Sequence, residues 1–360
     1  MDSKTVGSGA TYTDLNTWAS YITGGSGPYS GGNLTDDITA QVVAAGITTS
    51  SQQVVSGWAP NGFSTTITAN TSASFRDNAN VRTTALDYAT ANGAFIASSY
   101  SASAGAVAVQ VDKSRVNYLQ IKATGGYSRA LSFDTTSMGD VQVDGNIIWA
   151  TSDTSGTLYM SSAVDGTGVY IRNNLVKSNR GAGGSRALYH DGCRSSGNKA
   201  KVYDNTFWNE QSSTTVSLGS SSYGEFIGNV FINIAGNCGL SARDAQCSGS
   251  NNATNKSAWD NTGYGGGTIT GLTASQLSIT IANEFIDADS APTDFRLKTG
   301  GTALQDTNIA ISGITVDISN FTRSSGFEDI GCWQKTAGGA AFIARQGISL
   351  IQAVKRASTY

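Results

Sequence analysis

Val141-x-Val143-x-x-Asn146-x-Ile148, Val169-x-Ile171-x-x-Asn174-x-Val176, Ala200-x-Val202-x-x-Asn205-x-Phe207 and Gly224-x-Phe226-x-x-Asn229-x-Phe231 repeat one frame, with the asparagines 28, 31 and 24 residues apart. An earlier stretch, Val116-x-x-Leu119-x-Ile121, fits the frame with leucine in the asparagine slot. A second row follows: Leu131-x-Phe133, Leu158-x-Met160, Leu188-x-His190, Val216-x-Leu218 and Leu240-x-Ala242, each beginning 11 to 14 residues after the slot before it. Two rows that keep one offset describe a chain returning to the same place once per turn. Alternating apolar residues bury one face of a strand. The three-residue step from Val143 to Asn146 breaks that alternation and predicts a bend between two short strands. Asparagine suits the bend because it tolerates left-handed φ. Stacked inward, Asn146, Asn174, Asn205 and Asn229 would pass amide hydrogen bonds from coil to coil. The fold expected is all-β: a single-stranded right-handed parallel β-helix (a solenoid), each coil burying its inner face against its neighbours.

Composition agrees. The 360 residues are 39% hydrophobic and 14% charged, with 43 glycines and 3 prolines, so the chain turns often and carries few charges. A net charge of −3 without any run of Lys or Arg excludes a nucleic-acid groove. No segment approaches the ~20 apolar residues of a membrane span. Met1-Asp2-Ser3-Lys4 leads into no apolar stretch, so no secretory signal is expected.

Residues 1–30 read as an N-terminal cap. Leu15, Trp18, Ala19 and Ile22 lie on one face of a short helix at about 12–22, with Thr13 or Asp14 as its cap. That helix would cover the first coil; a surface helix of an unrelated subdomain is the alternative. Residues 31–335 form the β-helix. Residues 336–360 form a C-terminal extension for packing or attachment, in which Ile343 to Val354 is helix or strand. The four cysteines, Cys193, Cys238, Cys247 and Cys332, make no CxxC pair. They read as buried thiols, with a Cys238–Cys247 disulfide as the alternative. No metal and no cofactor is expected.

His190 takes the slot of Phe133, Met160, Leu218 and Ala242 and should face inward, as a core imidazole bonded to backbone or Asn. The competing reading makes it a general base flanked by Arg186, Asp191 and Arg194. Asp144 and Asp204 fall in the bend, and Asp140, Asp165, Glu210 and Glu225 in other slots. No slot stacks two acids on consecutive coils, which argues against a glycosidase-type carboxylate pair. Tyr170, Tyr189, Tyr203 and Trp208 are expected on an outer face, stacking on sugars or lining a subunit interface.

The ends of the chain resemble right-handed β-helix proteins of the pectate-lyase-like superfamily. Thr5-Val6-Gly7-Ser8-Gly9-Ala10-Thr11-Tyr12-Thr13-Asp14-Leu15 is similar to their opening segment. Asn283-Glu284-Phe285-Ile286-Asp287, Thr293-Asp294-Phe295-Arg296-Leu297, Asp306, Asp317-Ile318, Thr322-Arg323 and Asp329-Ile330-Gly331 look like their closing coils. Ser74-Phe75-Arg76-Asp77-Asn78 resembles a stretch of phage and environmental β-helix proteins. That superfamily holds lyases, hydrolases, tail spikes and inert structural proteins, so the resemblance implies fold more than function. The calcium-holding carboxylate cluster of the lyases and the Gly-His-Gly motif of the hydrolases are missing from the sequence.

The function expected is that of a non-enzymatic virion structural protein on the particle surface: a phage capsid decoration, head spike or tail-spike-like component. It would assemble as a homotrimer, contact the capsid protein and take host surface glycans as a further ligand. With little chain ahead of residue 12 for a particle-binding domain, attachment would run through the C-terminal segment or the side of the rod. The alternatives are an extracellular polysaccharide lyase or glycoside hydrolase (a depolymerase), and a carbohydrate-binding adhesin.

Overall fold

The computed structural model describes residues 1–335 apart from short segments, the longest being 180–185 and 257–271. Three parallel sheets run the length of the molecule. Sheet 1 has nine strands, from Asp2–Val6 to Cys247–Ser250. Sheet 2 has nine, from Ile47–Thr49 to Leu277–Ser278, and sheet 3 has seven, from Gln53–Val55 to Leu240–Ser241. Successive strands of the chain visit sheets 1, 2 and 3 in turn. Seven complete turns result, beginning at Ile38–Val42. The expected parallel β-solenoid is the fold.

Both rows stack as the frame requires. Leu131, Leu158, Leu188, Val216 and Leu240 stand in direct register on sheet 3, all fully buried. Val116, Val143, Ile171, Val202 and Phe226 do the same on sheet 1. Phe207 and Phe231, inward on sheet 2, stack with ring centres 5.6 Å apart. Each coil therefore buries its inner apolar face by lying on the next, and stability spreads along the stack.

The asparagine ladder is continuous. Each Oδ1 accepts from the backbone N–H of the preceding asparagine, at 3.0 Å for Asn174 with Asn146 and 2.9 Å for Asn205 with Asn174. Each Nδ2 donates to a carbonyl one coil back: Asn146 to Val116, Asn174 to Val143, Asn205 to Ile171 and Asn229 to Val202, at 2.7–2.9 Å. The ladder extends one rung beyond the expected four, to Asn252. One detail of the sequence reading changes. The left-handed residue at the bend precedes each ladder position: Tyr118, Gly145, Asn173, Asp204, Gly228 and Asn251, with φ between 54° and 68°. The bend needs one such residue, and the asparagine after it turns inward to meet the orphaned carbonyls.

Helix α1 (Leu15–Thr23) is capped by Asp14, whose carboxylate accepts from Thr17 N–H at 2.8 Å. It buries Leu15, Trp18, Ala19 and Ile22. It docks on Gln53–Val55, the end strand of sheet 3. Val54 N–H donates to Asn16 Oδ1 at 2.8 Å, and Leu15 N–H to Gln53 Oε1 at 2.9 Å. The lid thus pairs an edge that would otherwise be bare. Ahead of the helix, Asp2–Val6 already pairs with Ile38–Val42 as the first rung of sheet 1.

The C-terminal part departs from expectation. Residues after Ser278 add no further coils among those described. Phe285–Asp287 and Asp294–Leu297 form a small antiparallel pair instead. With the 70–94 insertion they cover the outer face of sheet 2, burying Phe75, Leu86, Leu175, Trp208 and Phe295 in a second apolar cluster. Trp208, expected on an open face, is fully buried there. Along that face Lys122, Trp149, Lys177 and Trp208 stack in register, the ammonium of Lys122 lying 3.7 Å from the centre of the Trp149 ring. Lys177, 1% exposed, pairs with Asp87 of the insertion at 2.5 Å. Cys193, Cys247 and Cys332 are buried. Cys238, Asp165, Asp306 and the 336–360 extension with Ile343 to Val354 lie outside the described residues.

Candidate functional site

The residues singled out around His190 do not converge. Residues alternate in and out along Leu188–His190, which puts Tyr189 outside and His190 between Met160 and Leu218 in the core. The imidazole is fully buried, and neither ring nitrogen has a hydrogen-bond partner among the described residues. The inward core placement agrees with the sequence reading; the expected bond to backbone or Asn and the general-base reading are corrected. A general base needs access to substrate, and the bonded core imidazole lacks its bond. Burial alone pushes this imidazole down to about 4, so it is neutral in the folded chain. Asp191 and Arg194 pair with each other at 3.6 Å on the adjoining turn, where partial burial pushes the carboxyl upward.

Arg186 belongs to a different arrangement. On the outside of sheet 3, Tyr159 and Tyr189 stack with ring centres 5.6 Å apart and planes 16° from parallel. The Arg129 guanidinium lies 3.3 Å from the centre of the Tyr159 ring, and that of Arg186 lies 5.2 Å from Tyr189. The ring faces are engaged by each other and by cations. A sugar stacking there would first have to displace a guanidinium, so the strip is a side-chain ladder rather than an open platform.

The outside of sheet 1 is more open. Its outward columns are Arg115, Gln142, Tyr170, Lys201 and Glu225 beside Asn117, Asp144, Arg172, Tyr203 and Ile227. Tyr203 is covered by Ile311 and Ile314, and its hydroxyl donates to Glu225. Tyr170 remains partly exposed and accepts from Lys201 at 3.2 Å. Where the C-terminal segment returns over the bend, a cleft of about 200 Å³ opens, lined by Arg76, Tyr118, Asp144, Gly145, Arg172 and the 313–317 segment. Asp144 pairs there with Arg172 at 3.1 Å. Burial raises its carboxyl, opposed by the charges of Arg172 and Arg76.

Two coils beyond Asp144, Asp204 is wholly buried, accepts from Asn308 at 2.6 Å and faces Arg323 at 3.8 Å. Burial pushes it up to about 7. Asp140 pairs with Arg115 at 3.2 Å, and Asp317 with Arg82 at 2.9 Å. Among the described residues no three His, Cys, Asp or Glu side chains are grouped so as to hold a metal ion. The sequence reading gave no site role to Arg76 and Arg323, named only in the stretches that resemble other β-helix proteins, and did not single out Arg82. They lie far along the chain from the acids they meet, and nothing in the coil frame marks them.

No family model matches the chain, and no curated protein matches it. Among solved structures it is similar to a pectin methylesterase from Aspergillus niger, at 13% identity and a TM-score of 0.39, covering 77% of this chain and 90% of that one. It is also similar to the pectate lyase Pel9A, at 12% identity and a TM-score of 0.37, covering 83% and 88%. Similarity at this level concerns the fold alone.

Proposed function

We propose that the chain is a structural β-solenoid that recognises ligands without transforming them, mounted on the surface of a virus particle. The observation that carries this reading is the use made of its acids. Asp87, Asp144, Asp204, Asp294 and Asp317 are each engaged by a cation of this chain. Two of these pairs fasten the insertion or the C-terminal return onto the rod, and a third, Arg82 with Asp317, ties the insertion to the return. Carboxylates committed in this way stabilise the layers rather than wait for substrate. The partly exposed, polar and aromatic outside of sheet 1 suits host glycans, and the same surface suits a second copy of the chain in a homotrimer. The sequence resemblance to phage β-helices, the low charge and the Ser/Thr/Gly-rich composition support a place on the particle, next to the capsid protein.

A second reading rests on Asp144. Its carboxyl lines an open cleft beside two guanidinium groups and is pushed upward by burial, the property wanted in the acid of a depolymerase. Incubation with neutral and acidic polysaccharides separates the two. The structural reading expects no new reducing ends and no unsaturated products over a day; release of either that is lost in Asp144→Asn would establish the enzyme. Immunogold labelling of purified particles, with sedimentation for the trimer, tests the proposed location and assembly.

A further inference from the structure

We propose that the cleft at the sheet 1 to sheet 2 bend binds an oxyanion: a carboxylate, sulfate or phosphate group, free or carried on a sugar. The inference goes beyond the structural reading and holds wherever the rod is mounted.

The cleft lies where separate parts of the chain meet. The solenoid supplies Tyr118, Asp144, Gly145, Arg172 and Asn173, and the C-terminal return supplies 313–317. Arg76 enters from the 70–94 insertion. Its guanidinium lies over the Tyr118 ring, 3.9 Å from the ring centre, and its NH2 group donates to Asn320 Oδ1 at 2.8 Å. Its Nε is buried without any hydrogen-bond partner among the described residues. An unsatisfied N–H on a permanent cation costs free energy unless a ligand or water meets it.

Charge points the same way. Arg76 and Arg172 face one open carboxylate, Asp144, which Arg172 engages through Nε at 3.1 Å. The other acid in the lining, Asp317, is fully buried. It is taken up by Arg82 and by the N–H groups of Ser319, Phe321 and Gln334. One positive charge is left over. Planar guanidinium groups with free donors match the oxygens of carboxylate, sulfate or phosphate. The space, about 200 Å³, is many times what a single water needs, roughly 15 Å³. At Gly145 a Cβ would come within 2.8 Å of the Tyr118 ring, so that ring and the Arg76 above it lie against bare backbone.

The test is calorimetric titration of the full chain with sodium sulfate, inorganic phosphate, glucuronate and glucose at low ionic strength. The proposal expects saturable binding of at least one anion and none of glucose. Sulfate or phosphate binding identifies a free oxyanion as sufficient; glucuronate alone identifies a sugar-borne carboxylate. Arg76→Gln should weaken binding about tenfold or more. Thr315→Glu, an exposed position on the cleft wall that leaves the fold's contacts intact, should weaken it similarly by charge. Asp144→Asn should hold or tighten it. Absence of binding by all three anions, equal binding of glucose, or a loss on Asp144→Asn without loss on Thr315→Glu would overturn the assignment.

Discussion

Replacing Asn174 by Ala removes five hydrogen-bond contacts from the centre of the ladder, the two amide N–H groups being shared among three acceptors. Its Nδ2 donates to Val143 O, Arg172 O and Asn205 Oδ1 at 2.8–2.9 Å. Its Oδ1 accepts from Asn146 N and Nδ2 at 3.0 Å. Some partners keep other bonds: Asn205 Oδ1 still receives Asn174 N–H, and Arg172 O still receives Gly145 N–H. Asn146 N–H is left with nothing in a fully buried position. One orphaned buried donor costs ~1–3 kcal/mol, and each remaining bond contributes ~1 kcal/mol net. Because these losses overlap, the expected destabilisation is about 3–5 kcal/mol, against ~1 kcal/mol or less for an exposed asparagine. Urea unfolding followed by circular dichroism measures it. Hydrogen exchange should show the loosening concentrated in the coils on either side, since a solenoid couples nearest neighbours. A loss below ~1 kcal/mol, or protection unchanged around residues 141–176, would refute the view that the amides hold the bends.

His190→Leu should stabilise the chain by roughly 1–3 kcal/mol, because it replaces an unpartnered buried imidazole with the residue type of its stacked neighbours. It should also flatten the acid side of the stability profile. With the folded imidazole pushed down to about 4 from the usual 6.5, the unfolded chain binds more protons between those values. Wild-type stability therefore gains from this group above pH 6.5 and loses that gain as pH falls towards 4, a slope that thermal melts of the variant should lack. Arg323→Ala takes away the cation of the buried Asp204 and the donor to Asp329 O, Gly331 O and Asn173 Oδ1, and should cost about 3–5 kcal/mol; adding Asp204→Asn should recover the part due to the ion pair, and additive losses in the Asp204→Asn, Arg323→Ala double-mutant cycle would refute the pairing.

Legibility followed the periodicity. Wherever the coil kept both apolar slots and the asparagine, strand, bend and ladder were all readable from sequence. The rung at Asn252 was not, because Cys247 and Gly249 hold its apolar slots. Glycine is needed at 249 since a Cβ there would come within 1.7 Å of the Phe226 carbonyl oxygen. The second layer left a signal that went unused. Ile147-Ile148-Trp149 and Phe207-Trp208 are apolar on both faces of a strand, which marks a sheet covered on both sides. The cleft could not be read at all. Arg76, Asp144 and the 313–317 segment are brought together by the return of the chain along the rod, and no local pattern encodes that return.

The claim beneath all of this is register: each turn lies directly on the one before. Tyr159 and Tyr189 are partly exposed neighbours in adjacent strands of sheet 3, and Ser217 stands one rung beyond Tyr189. Adjacent rungs lie ~4.8 Å apart, within disulfide reach, and alternate rungs at about twice that lie outside it. Mass spectrometry after mild oxidation should therefore find a cross-link in the Tyr159→Cys, Tyr189→Cys variant and none between the new thiols of the Tyr159→Cys, Ser217→Cys variant. The reverse pattern, or no cross-link in the first, would contradict the stacked solenoid.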